Sequence, residues 1–293
     1  MNDEYIDVEK VLGAKFEPTT FTYTDREVIL YALGIGAAKN PLDPQELAFV
    51  YEGSPEGFKV FPTFAVTFPG GRSLRLLSMP GLKFNPMMLL PGEQYLEVKK
   101  PLPTAAQITS YGRISHVYNK GGGALLLIDM TSEDESGETI ALNQISIYIR
   151  GIGGFGGDRG PSSGNVNLPP EREPDAVHEE AVSANQALLY RLTGDRNPLH
   201  ADPAMAAIGG FDRPILHGLC TFGFAARAVL KHFADNNPAR FKSIKTRFAR
   251  HFFPGETLVT EMWKVGNSEI IFRCKAAERN EYVITNAKIE LVA

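Results

Sequence analysis

The densest run of chemistry-bearing side chains is Tyr190-Arg191-Leu192-Thr193-Gly194-Asp195-Arg196-Asn197-Pro198-Leu199-His200, which puts a carboxylate, an amide and an imidazole within six residues. A carboxylate and an imidazole held a few ångströms apart can share one water, taking a proton from it and delivering one elsewhere. Taken alone, an Asp-x-x-x-x-His pair more often caps a turn and decorates a surface, so its surroundings decide. Asp202-Pro203 reads as an N-cap and first helical residue, and the run before Asp195 as a capped apolar helix. The three polar groups then lie on a short turn between two elements, where they can converge. Further along, His217-Gly218-Leu219-Cys220 opens a second helix. A glycine there exposes unpaired N–H groups and the positive end of the dipole, an oxyanion site, although close helix packing would also favour Gly218.

The elements that must position these groups form an internal repeat. In the first half Thr24 and Glu27 fit a capping box, followed by Leu30, Tyr31 and Leu33 and then Asn40-Pro41-Leu42. In the second half Ser183 and Gln186 fit the same box, followed by Leu189, Tyr190 and Leu192 and then Asn197-Pro198-Leu199. LLPGEQYLEVKK around Pro91 is echoed by FFPGETLVTEMWK around Pro254, and each leads into strand-like segments. The repeat reads as helix, turn and several antiparallel strands, an α+β fold. From Pro214 the second half adds PILHGLCTFGFAARAVLKHFA, whose Leu219, Phe222, Ala226, Val229 and Leu230 recur at helical spacing. The matching first-half interval, between Leu42 and Leu77, is broken by Pro and Gly, so that half is expected to lack most of its central helix. Residues 1–150 are accordingly read as a degenerate repeat, 151–182 as a linker rich in Gly and Pro, and 183–293 as the repeat carrying the chemistry. At the first-half positions matching Asp195 and His200 stand the stretch Gly36-Ala37-Ala38 and Asp43. The architecture thus keeps the turn without those side chains, which favours a functional reading of the pair.

Composition narrows the classes. The 293 residues are 43% hydrophobic and 22% charged, as expected of a globular chain with a real core. Thirty-four acids against thirty bases give a net charge of −4, which argues against chain-wide attraction to nucleic acid or anionic lipid. No apolar run approaches the roughly 18 residues of a membrane span. Two cysteines without metal-ligand spacing, and no basic, apolar leader, point to a reduced intracellular setting. The six histidines show no ligand pairing by spacing, so no metal is expected. Gly151-x-Gly153-x-x-Gly156 matches a dinucleotide fingerprint in letters, but the segment after it cannot begin the required helix, and a flexible hinge is the plainer reading. The bases Arg240, Lys242, Lys245, Arg247 and Arg250 form either a solvated face or a phosphate-binding strip.

The run from Tyr190 to His200, with Ala206 beyond it, resembles the signature of 2-enoyl-CoA hydratase 2, the R-specific hydratase of the MaoC-like group. GEQYLEV, PLPT, GGFGG, PILHGLCTFGF and PGETL extend the resemblance, to the hydratase region of peroxisomal multifunctional enzyme type 2, over nearly the whole chain. The resemblance implies a double hot dog whose first repeat lacks most of its helix, and hydration of trans-2-enoyl-CoA to (3R)-3-hydroxyacyl-CoA in fatty acid β-oxidation. By the same resemblance Asp195 and His200 hold the catalytic water, Asn197 orients it, and Gly218 N–H receives the thioester oxygen. Substrate contacts map to Gly92, Lys120, Arg196, Pro198, Leu199 and Phe248. Where the family has a histidine before Gly-Glu-Gln this chain has Pro91, which leaves a backbone-carbonyl contact there. No cofactor is implied beyond the coenzyme A of the substrate, and a homodimer without nucleic-acid or membrane partners is expected. Relatives are peroxisomal, whereas the terminal IELVA is no Ser-Lys-Leu-type address, so a cytoplasmic site is also open. The missing first-half helix would leave a groove for the acyl tail. The rival readings are a hot-dog acyl-CoA thioesterase and a non-catalytic acyl-CoA binding protein, neither of which calls for the Asp195–Asn197–His200 turn.

Overall fold

The computed structural model describes residues 5–70, 75–162 and 164–292; the first four residues, part of the interval between Leu42 and Leu77, Ser163 of the glycine-rich segment and the terminal Ala293 lie outside these. Ten antiparallel strands form one sheet in the order β1-β3-β4-β5-β2-β7-β10-β9-β8-β6. The strands are β1 (Lys15–Tyr23), β2 (Leu89–Val98), β3 (Ala106–Asn119), β4 (Gly123–Glu133), β5 (Thr139–Arg150), β6 (Ala176–Ala181), β7 (Phe241–Phe248), β8 (Thr257–Lys264), β9 (Glu269–Ala276) and β10 (Glu281–Leu291). Adding five to each label in the first half of the order, read from its outer edge inward, reproduces the second half read the same way. The two halves meet where β2 pairs with β7, Tyr95 opposite Lys245.

The helices described are α1 (Val8–Val11), α2 (Asp25–Gly34), α3 (Pro44–Leu47), α4 (Gln186–Tyr190), α5 (Pro203–Ile208) and α6 (Gly218–Phe233). α6 is the expected central helix. Every residue from Cys220 to Leu230 is buried, so it is apolar nearly all round, as a helix enclosed by both halves must be. Among the described residues, the buried piece that takes its place in the first half is a 3-10 turn, Pro62–Val66, with all five residues buried. Aromatic rings fill the described part of that space: Tyr23, Phe64 and Phe68 pack edge-on and stacked at 4.9–5.6 Å, and Phe49 stacks on Phe61 at 3.8 Å. Aromatic side chains thus replace the helix as the filling of the core.

Three expectations need correction. The Thr24–Glu27 capping box forms on α2, but the one at Ser183–Gln186 does not: Asn185 is the N-cap of α4, without a side-chain bond. Gln186 instead donates through Nε2 to the carbonyls of Leu33, at 3.0 Å, and Gly34, at 2.7 Å, capping the C-terminus of α2 in the other half. Second, residues 151–182 are not all linker, because β6 lies inside them and occupies the same place in its half as β1 in the other. It is an edge strand whose AVHEEA sequence alternates only half-buried and exposed residues, which hides its period. Third, the glycine-rich stretch is no loose hinge. A Cβ on Gly153 would meet Gly121 O at 2.1 Å, and one on Gly160 the Tyr118 ring at 2.5 Å, so glycine is needed for close approach to the β3–β4 hairpin. Asn119 adds hydrogen bonds, donating to Gly156 O and accepting from Gly154 N. Among the described residues no helix follows the fingerprint-like glycines before α4.

Candidate active site

The turn that carries the polar triad is built from its own side chains. Asp195 Oδ1 accepts from Asn197 N at 3.1 Å, and Asn197 Oδ1 accepts from Leu199 N at 3.1 Å, starting the 3-10 turn Pro198–His200. Asp202 then caps α5 by accepting from Ala204 N, with Pro203 as first helical residue. The first half repeats the Asn-Pro turn, Asn40 Oδ1 accepting from Leu42 N at 3.1 Å. There Asp43 caps α3 through Gln45 N, so it corresponds to Asp202 rather than to His200. The first-half turn is shorter and has no histidine position.

His200, 9% exposed, points inward and donates from Nδ1 to the Ile215 carbonyl at 2.8 Å. That bond fixes the neutral tautomer and leaves Nε2 with the lone pair. Burial pushes the His200 pKa below its ordinary 6.5, while the Ile215 bond and the Asp195 charge pull the other way. An oxygen of the Asp195 carboxylate and one ring nitrogen each of His200 and His217 lie within 4.8 Å of one another. One water can bridge groups at that separation. The histidine spacing gave no hint of this gathering, which also has metal-compatible donors, although one nitrogen of each ring is engaged with a carbonyl, His200 with Ile215 and His217 with Asp195.

Gly218 is the first residue of α6, where helix geometry leaves N–H groups without intrahelical acceptors, and it is exposed. A Cβ there would touch the Phe248 ring at 3.2 Å, so Phe248 lies across the start of the helix. Gly92 belongs to the neighbouring strand, one residue before the pair Glu93 and Arg247, and Pro91 precedes it at a bulge in β2. Asp195, Asn197, His200, Gly218 and Phe248 thus come together, with Pro91 and Gly92 on the adjoining strand. Arg196 and Pro198 are exposed on the turn, whereas Leu199 is half-buried against Gly209. Lys120 stands apart, on the β3–β4 hairpin at the same end of the sheet. Its Nζ lies 5.7 Å above the Tyr118 ring and donates to Pro161 O. Strand spacing puts β4 about 14 Å from β7.

The basic strip is largely neutralised, since Arg240, Lys242, Lys245 and Arg250 pair with Asp235, Glu290, Glu93 and Glu281. A depression of about 540 Å³ lies elsewhere, lined by residues 168–173, Trp263 and Arg273. What sequence reasoning missed is His217, singled out only as the neighbour of Gly218. Its ring stacks on His200 with centroids 3.7 Å apart.

Comparison with known proteins supplies the context. Residues 21–151 match the MFE-2 hydratase 2 N-terminal domain and residues 165–287 the MaoC like domain. Over 285 residues the chain is 48% identical to a probable enoyl-CoA hydratase 2 of Dictyostelium discoideum, covering 96% of this chain and 95% of that protein. It is also 48% identical over 285 residues to the mouse peroxisomal multifunctional enzyme type 2, of which it spans 38%. Among solved structures, a MaoC-like dehydratase from Phytophthora capsici superposes with a TM-score of 0.86 at 36% identity, covering 98% of this chain and 99% of that one. At 15% identity and a TM-score of 0.58, a Mycobacterium tuberculosis protein described as a double hotdog fold covers 96% of both chains, and shares the fold.

Proposed function

The chain belongs to the MFE-2 hydratase 2 family, an MFE-2 hydratase 2 N-terminal domain followed by a MaoC-like domain, and from that premise we propose that it adds water to trans-2-enoyl-CoA to give (3R)-3-hydroxyacyl-CoA in fatty acid β-oxidation. The observation that carries the reading is the convergence of the Asp195 carboxylate and the His200 imidazole beside the open start of α6.

In this reading a water sits between the Asp195 carboxylate and the bare Nε2 of His200. It gives up a proton to the bare Nε2 of His200 as its oxygen adds to C3, and the Asp195–His200 pair returns a proton to C2 on the same face. Negative charge develops on the thioester oxygen, and the Gly218 N–H at the positive end of the helix dipole receives it. Such a preorganised donor contributes roughly 3–4 kcal/mol, comparable to the roughly 10²- to 10⁴-fold of acid–base help. Phe248, Gly92 and the exposed part of the turn border the acyl-CoA, and Lys120 meets its distal, phosphate-bearing end. Addition of water changes no oxidation state overall, so the reaction asks for no cofactor beyond the coenzyme A of the substrate.

Relatives named as peroxisomal support the same compartment here. Exposed Leu33, Leu188 and Leu192, on α2, on α4 and just after it, support a homodimer. Among the described residues no helix is long and apolar enough to cross a membrane.

The test is hydration of trans-2-decenoyl-CoA, followed as loss of enoyl-thioester absorbance with chiral analysis of the product. The wild type should yield the R alcohol, and Asp195→Ala and His200→Ala should each lose about 10²- to 10⁴-fold in kcat. An S product, release of free coenzyme A thiol, or unaffected variants would refute the assignment.

A further inference from the structure

His217 has no part in the reaction as written, yet it touches Asp195 and His200 and immediately precedes Gly218. It is the N-cap residue of α6 and only 1% exposed. Its ring lies on the His200 ring, 3.7 Å between centroids at 28°, and Tyr190 packs on it at 5.0 Å. Its Nε2–H donates to the Asp195 carbonyl at 3.1 Å. Its Nδ1 is buried without a partner among the described residues. A buried polar atom left unpaired is costly, and a phenyl ring would fill the same space without that cost. The imidazole offers what phenyl cannot, a donor to the Asp195 main chain on the same ring that stacks against His200.

We infer that His217 is a positioning residue, a neutral Nε2–H imidazole that ties the Asp195 backbone and the His200 ring to the first residue of α6 and so holds the water site in register with the Gly218 N–H. The kinetic part of this inference rests on the hydratase reading. The groups facing His217 are His200 and Arg191, which oppose a proton on it, and Asp195, which favours one; burial, the largest influence, also opposes it. Neutrality matters because in the proposed reaction His200 takes up the water's proton, and a second cation stacked on it would repel that proton.

Two variants divide the roles: His217→Phe keeps the stacked ring and loses the donor, and His217→Asn keeps a donor and loses the ring. Misplacement of reacting groups by about 1 Å can cost 10²-fold, so each folded variant should lose about tenfold to a hundredfold in kcat while KM stays close to wild type. The acid limb of the kcat profile should also move in His217→Asn, where the stack on His200 is gone. Ring ¹⁵N shifts of the wild type should report a neutral Nε2–H tautomer for His217 at neutral and mildly acidic pH. Unchanged kcat in both variants, a change confined to KM, or an Nδ1–H or doubly protonated ring would overturn the inference. The ¹⁵N reading holds even if neither variant folds. Absence of hydration by the wild type would refute the hydratase reading, and the tautomer would still decide whether His217 is tied to Asp195.

Discussion

In the proposed reaction His200 starts with its tautomer already chosen, because the Ile215 carbonyl can only accept. With its pKa held below 6.5 by burial, the acid limb of kcat should lie below the ordinary histidine range, as a pH–rate profile would show. Asn197 invites a sharper test. Its Oδ1 already serves the turn by accepting from Leu199 N, and the amide NH₂ can donate to a water. Asn197→Asp keeps the turn acceptor and removes that donor, so its melting temperature should match wild type while kcat falls. Asn197→Ala should lose both, with about 1 kcal/mol of stability. At this scale the site was legible where it is contiguous: Asp195, Asn197 and His200 sit in one turn whose chemistry can be read by eye. His217 was not, because its role depends on the loop after α5 bringing the start of α6 back beneath His200, and spacing along the chain carries no trace of that.

Helix ends and crossings explain most of the remaining differences between expectation and structure. The Thr24–Glu27 box announces α2 because both partners are local. Gln186 follows the same pattern yet serves the far half, and its amide is satisfied by carbonyls more than 150 residues away. Gln186→Ala should therefore cost about 1–3 kcal/mol, from two hydrogen bonds lost between the halves, rather than the few tenths expected of a surface helix position. Thermal denaturation would distinguish the two. Gly223 poses two opposed effects. Alanine would gain about 1 kcal/mol of helix propensity, but its Cβ would come within 2.4 Å of Ile35 Cγ2 where α6 crosses the end of α2. Overpacking typically costs about 1–3 kcal/mol, so Gly223→Ala should lower the melting temperature despite the propensity. Edge strand β6 escaped the sequence reading for the opposite reason: it buries too little for its pattern to stand out from a linker.

Across the molecule, the halves are joined by charge as well as by the sheet. Arg227 on α6, almost fully buried, bonds Glu180 of β6, approaches Glu46 of α3 and donates to Ile35 O just after α2. Burial acts to raise the Glu180 carboxyl, but His178, Arg227 and Lys39 outweigh it and hold the pKa below the usual glutamate value. Removing one partner of such a buried pair is worse than never having built it, so Arg227→Met should destabilise by about 3–5 kcal/mol. The Arg227→Met/Glu180→Gln double variant should recover part of that in denaturant titration. Acid stability follows from four histidines, His200, His217, His232 and His251, all held below their ordinary 6.5, chiefly by burial. Below that pH the unfolded chain binds more protons than the folded one, so stability is fully present above pH 6.5 and declines as the pH falls toward the folded values. Melting temperatures measured from neutral to mildly acidic pH should fall steadily. The repeat and its missing helix were legible in the sequence, since both are patterns of presence and interruption. The filling of that gap by Phe49, Phe61, Phe64 and Phe68 was not, because aromatics between prolines declare no period.

The matched strand order has a consequence in stoichiometry. Two identical halves would carry two dyads, whereas this chain keeps the Asn-Pro turn twice and His200 once. Because both halves belong to one polypeptide, they meet at an effective concentration fixed by the tether rather than by the amount of protein present. Turnover per molecule should then hold constant on dilution, and a tight-binding acyl-CoA analogue should saturate at one equivalent per chain.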